Sequence, residues 1–142
     1  MRDRLTAKKV SKAFAYASRT ATGNGDIIDT RGYGALTFVV QLATVTTADA
    51  SNYFTLTLQA GDDSGLSDGA TVTAATGLIG SNLVINDSTT QSDFIGMMGY
   101  AGGKRYVRIV ATETGTASAA FSAVAVQELA HTQPVGDEAF GA

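Results

Sequence analysis

Three stretches alternate apolar and polar residues with a period of two, the spacing at which successive side chains point to opposite faces of a strand. From Leu36 to Leu42 the apolar positions are Leu36, Phe38, Val40 and Leu42. From Tyr53 to Gln59, Phe54, Leu56 and Leu58 share one face, and Tyr53, Thr55, Thr57 and Gln59 share the other. From Arg105 to Thr112, Val107, Ile109 and Ala111 oppose Tyr106, Arg108 and Val110. Each pattern predicts a strand with one face on a core. Ala117 to Val126 differs, being small or apolar at nearly every position. It predicts a strand covered on both faces or lying at a subunit interface, with Gly115 as the turn before it.

Shorter strands are predicted at 26–29, 71–73 and 83–85, and a longer one at 94–100, where Gly96 and Gly99 mark bulges or close approaches. Asn24-Gly25 predicts a type I′ hairpin turn, which needs positive φ at both central residues. Thr30 to Gly34 and the Gly/Asp-rich run 61–69 predict turns. Leu5, Val10, Phe14 and Ala17 lie near helical spacing, so a short amphipathic turn fits the N-terminal stretch. About seven to nine strands predict an all-β fold, a single-domain antiparallel β-sandwich (jelly-roll or Ig-like) or a barrel. The expected organisation is a basic N-terminal arm over residues 1–18, a β domain over 19–130, and a short tail over 131–142.

Composition points the same way. Among 142 residues there are 16 Gly, one Pro and no Trp. Thr and Ala are abundant while Leu, Glu and Lys are scarce, which favours strands and tight turns over helices. A chain of this length suits one domain with one core. Cysteine is absent; no disulfide framework or thiolate metal site can form, as expected of a chain made in a reducing cytoplasm. With no signal-peptide pattern and no apolar run of membrane-spanning length, a soluble protein is expected.

The net charge of −3 conceals an asymmetry. Residues 1–19 carry six basic side chains (Arg2, Arg4, Lys8, Lys9, Lys12, Arg19) against Asp3 alone, a net +5. The remainder carries four basic and twelve acidic ones, a net −8. A basic segment on an acidic body predicts contact with an acidic neighbour, which can be another copy.

Catalytic material is sparse. The one histidine, His131, lies in the tail, and no Gly-x-Ser-x-Gly elbow occurs, so a serine triad is not expected. Asp62, Asp63 and Asp68 do not fit a calcium loop and read as turn formers. Residues 99–105 lack the spacing of a phosphate loop and are expected to form a glycine-rich hairpin, with Tyr100, Gly102, Gly103, Lys104, Arg105 and Tyr106 as its structural residues. No metal or cofactor is expected, and no enzymatic activity. Phe14 and Tyr16 interleave with Lys8, Lys9, Lys12 and Arg19 as in single-strand binders, but the acidic body disfavours nucleic acid.

The order Arg19-Thr20-Ala21-Thr22, Asn24-Gly25, Gly32-Tyr33 and Leu36-Thr37-Phe38-Val39-Val40 resembles a family of short tailed-phage and prophage proteins found next to the major capsid protein. The resemblance continues in Phe54-Thr55-Leu56, Asp62-Asp63-Ser64, the run Gly99 to Arg108, Thr114-Gly115-Thr116, and the ending with His131 and Pro134. It covers residues 19–59 and 94–135, leaves 66–93 unaccounted for, and departs where family members often carry a tryptophan after Asp-Asp-Ser. It implies a virion protein near the head.

The function expected is a capsid decoration or cement protein that binds and stabilises the head shell, assembled in the host cytoplasm. Its partners would be the major capsid protein, other virion proteins and its own copies. Arg2, Arg4, Lys8, Lys9 and Lys12 would attract the partner, with Leu5, Val10 and Phe14 anchoring by burial. The alternatives are a tail, neck or baseplate component, or a receptor- or glycan-binding module using the loops 62–69 and 86–93.

Overall fold

In the computed structural model, which describes residues 5–131, the alternating segments are strands of two packed sheets. In chain order they are β1 (Lys9–Arg19), β2 (Gly23–Asn24), β3 (Ile28–Asp29), β4 (Tyr33–Thr47), β5 (Tyr53–Gly61), β6 (Ala70–Thr71), β7 (Leu78–Ile79), β8 (Leu83–Ile85), β9 (Ile95–Tyr100), β10 (Tyr106–Thr114) and β11 (Ser118–Ala130). Single 3-10 turns lie at Leu5–Ala7 and Ala74–Thr76.

The first sheet has the order β1-β11-β4-β9-β7. The second has the order β2-β10-β5-β6, with β3 also on β10 and β8 also on β5. Pairing is antiparallel throughout. The sheets face each other without closing, so the fold is a sandwich and not a barrel.

The core lies where the predicted apolar faces meet. Phe38, Val40 and Leu42 of β4 and Phe121, Ala123 and Ala125 of β11 look across at Phe54, Leu56 and Leu58 of β5 and Val107, Ile109 and Ala111 of β10. Three rings tie the layers together. Phe121 lies 5.4 Å from Phe14 within the first sheet and 5.8 Å, edge-on, from Phe54 of the second. Each large side chain buried here contributes about 1.5–3 kcal/mol.

Three expectations are corrected. The basic arm is, from Lys9 onward, the first strand of the first sheet. Its register on β11 shifts between Lys12 and Phe14 and again between Phe14 and Ala17. These bulges turn both Ala13 and Phe14 inward, which breaks the period-two signal and leaves a spacing that reads as helical.

Asn24-Gly25 does not close a hairpin. Asn24 pairs with Val110 of β10, and Gly25 is required for space: a Cβ there would sit 2.3 Å from the Ala13 carbonyl oxygen. The run 101–105 is likewise no hairpin within a sheet, since β9 and β10 belong to different sheets. It carries the chain across the end of the sandwich. The close approaches expected in β9 are present, with Gly96 under the Leu83 side chain and Gly99 against Ile79.

Candidate docking surface

The outer faces of the two sheets differ in chemistry. On the second sheet, β5 and β10 present Tyr53, Thr55, Thr57 and Gln59 beside Arg108, Val110 and Thr112, with the Arg108 Nε–H donating to Gln59 Oε1 at 2.8 Å. That face is mainly polar.

On the first sheet the register aligns Val10, Val126, Thr37, Gly99 and Ile79 in one row, and Lys12, Val124, Val39 and Met97 in the next. Ser122, Gln41 and Ile95 form a third. Met97 is 65% exposed, Ile79 and Ile95 59%, Val10 41% and Val124 40%. These side chains, interrupted by Thr37, Lys12, Ser122 and Gln41, make the face a candidate interaction surface.

The charges at its border are already paired. Lys8 Nζ lies 2.6 Å from Glu128, and Lys12 Nζ lies 3.2 Å from Asp26. Of the other predicted docking residues, Val10 is on this face, Lys9 sits across from Gln127, and Leu5 opens the first 3-10 turn. Phe14 is in the core and cannot anchor a partner or stack on a base. Arg2 and Arg4 lie outside the described residues. Arg19 closes the core rather than reaching outward: its guanidinium lies 4.1 Å from the Phe14 ring centroid and 5.5 Å from that of Phe121, and burial lowers its pKa.

The loop 101–105 is an anchor for its neighbours. The Tyr100 hydroxyl accepts the Lys104 N–H at 2.9 Å and donates to the Lys104 carbonyl at 3.2 Å. Gly102 lies so close to the Thr76 carbonyl and the Tyr100 hydroxyl that no side chain fits, while Gly103 faces open space. Lys104 reaches Asp62 at 2.5 Å. Arg105 clamps Asp29 with two N–H groups at 2.9 and 2.7 Å and lies 4.9 Å from the Tyr106 ring centroid.

Three carboxylates of the acidic loops, those of Asp63, Asp68 and Asp87, accept backbone N–H groups. Asp68 accepts the N–H groups of Asp62 and Asp63, and Asp63 those of Gly65 and Ser67. Asp87 accepts those of Thr89 and Thr90. These bonds hold Asp63 and Asp68 below the usual carboxylate pKa, and Asp87 is held there first by the Thr90 hydroxyl, which donates to it at 2.6 Å, and then by its backbone donors. Among the described residues no group of three or more His, Cys, Asp or Glu side chains is placed to hold a metal ion.

Two clefts, about 160 Å³ beside Tyr33 and Tyr100 and about 90 Å³ beside Val72 and Lys104, fall below the roughly 300 Å³ of small-molecule sites. His131 is exposed at the end of β11, its N–H donating to the Gly32 carbonyl at 2.8 Å. No helix among the described residues is long and apolar enough to cross a membrane.

The outer face of the first sheet therefore defines this molecule as a β-sandwich with one apolar surface. The sequence matches no protein-family model and no curated relative. Sequence reasoning did not find the whole face, although its signal was there. Val39-Val40, Met97-Met98 and Ala123-Val124-Ala125-Val126 are apolar in both phases of the strand, which a strand with one wet face does not need.

Proposed function

We propose that the protein is a non-enzymatic structural subunit of a phage virion, a decoration or cement protein of the head shell. The observation that carries this reading is the exposed apolar face of the first sheet opposite a mainly polar face on the second. Such a molecule is built to be covered on one side by protein and wetted on the other. The resemblance of residues 19–59 and 94–135 to proteins encoded beside the major capsid protein gives the context. Many copies on one shell turn weak single contacts into firm attachment where the copies are linked.

The loops 62–69 and 86–93 speak against a receptor- or glycan-binding module, because their polar groups are largely engaged within the loops themselves. The test is co-sedimentation of the purified chain with shells assembled from the neighbouring capsid protein. Binding that persists as salt rises is expected, because the apolar face carries the contact and Lys8 and Lys12 at its border are already paired. Shells that pellet without the chain at every salt concentration would reject a role on the head.

A further inference from the structure

The two sides of the first sheet end differently. On one side β1 carries Lys9 and Lys12 and two register shifts, and the Asp26 N–H covers its Ala13 carbonyl at 2.8 Å. Charges, bulges and covered backbone are the usual defences of an edge against further pairing. On the other side β7 covers β9 only at Gly99 and Tyr100. The rest of β9 has none of those defences: Ile95-Gly96-Met97 is uncharged, lacks proline and pairs with β4 without a shift.

The hydrogen-bond phase fixes which groups are left open. The Leu42 N–H donates to the Phe94 carbonyl at 2.8 Å, and the Ala101 N–H donates to the Gly77 carbonyl at 2.8 Å. Alternation along the strand therefore points the backbone of Phe94, Gly96 and Met98 at β4, and that of Ile95, Met97 and Gly99 at the β7 side. After Ile79 the chain turns at Gly80 and leaves for β8 on the other sheet. Among the described residues no backbone group bonds the N–H or C=O of Ile95 or Met97. Their exposed side chains flank this edge on the outer side, and Phe94, 45% exposed, flanks it on the side of Gly96.

We propose that this open edge accepts one extended segment of the shell subunit, with the pattern apolar-small-apolar, as a further strand of the first sheet. The backbone sets the class of occupant, because only an extended chain offers donors and acceptors at the spacing of Ile95 and Met97. Side chains set its pattern. Residues opposite Ile95 and Met97 emerge beside those apolar side chains on the outer face. The residue between them faces inward beside Gly96, where Leu83 methyl groups already lie 2.7 Å from the place a Cβ would take, and it must be small. The inference rests on the role at the head shell proposed above and deepens it by naming what the shell contributes.

Two measurements on the full chain test this. In the first, the capped peptide Thr-Val-Ala-Val-Thr is titrated into the isotope-labelled chain and followed by NMR. The Ile95 and Met97 amide signals should shift saturably. N-methylation of both valines, whose N–H groups would meet β9, should abolish the shifts, and N-methylation of the alanine should leave them. Met97→Pro removes an outward donor and no bond to β4, so it should keep its far-UV circular dichroism and lose the peptide. In the second, hydrogen exchange compares the free chain with the chain bound to assembled shells. The Ile95 and Met97 amides should exchange freely in the first state and slowly in the second, with Gly96 and Met98 slow in both.

Absent amide shifts, or shifts that the valine-methylated peptide also produces, overturn the proposal on the unaltered chain. Protection of the two amides on raising the chain concentration alone overturns it too, by making a second copy the occupant. Shell-bound chain whose Ile95 and Met97 amides still exchange freely overturns it while leaving the role on the head in place. A chain that takes the peptide at this edge and never binds shells keeps the strand-accepting edge and removes the role on the head.

Discussion

Leu56 and Thr57 are neighbours in β5 with opposite surroundings, Leu56 fully buried and Thr57 on the outer face. Leu56→Asp would bury a carboxylate without a partner and should unfold the domain, whereas Thr57→Asp should change stability by less than about 1 kcal/mol. Chemical denaturation distinguishes the two, and equal effects would contradict the facing of β5. At Gly25 an added methyl group meets the Ala13 carbonyl at 2.3 Å and the Phe14 ring at 2.9 Å. Gly25→Ala should therefore cost about 1–3 kcal/mol by overpacking, read as a lower denaturation midpoint. The core residues of β4, β5 and β10 were legible because alternation is unbroken there. Phe14 was not, because a bulge on either side of it puts two successive side chains on one face, which no fixed period describes.

The same contrast holds for whole elements. The three regular strands and β11 were readable, and β4 simply extends beyond its predicted ends to Tyr33–Thr47. The two-residue strands β2, β3, β6 and β7 were scarcely readable, since they are fixed by partners far along the chain. Asp29, for instance, is held by Arg105 from the loop before β10, and Thr71 is set by its register on Gln59. The glycine run before β10 looked like a hairpin because local turn chemistry does not reveal which sheet the next strand joins.

One deletion pair tests β1 as a strand. Removing residues 1–17 takes away most of β1, with Ala13 and Phe14, and should abolish cooperative unfolding, since loss of a buried Phe alone costs about 3–5 kcal/mol. Removing residues 1–7 should leave a folded domain by circular dichroism. A well-folded product of the longer deletion would mean that β1 is dispensable.

Across the whole molecule, several carboxylates are held below their ordinary pKa: Asp29 chiefly by its hydrogen bonds from Arg105, Asp49 by Asn52, and Asp63, Asp68 and Asp87 by their loops. A depressed folded-state pKa contributes stability above the unfolded value of about 3.9, and that stability is lost as pH falls through the folded values. The melting temperature should be nearly flat from neutral pH to about 5 and fall below about 4. These groups are exposed or, for Asp87, half-buried, so the loss is a sum of small contributions. A melting temperature that held or rose on acidification would contradict this.

The architecture joins a well-packed core to an outer face with several exposed apolar side chains, which the proposed role sets against protein. Cryo-electron microscopy of the intact particle tests this most directly. The chain should be found on the head exterior, with Val124 and Met97 covered by protein and the threonine-lined face of the second sheet towards solvent. A head without the chain, or a bound chain whose Met97 face remains open to water, would contradict it.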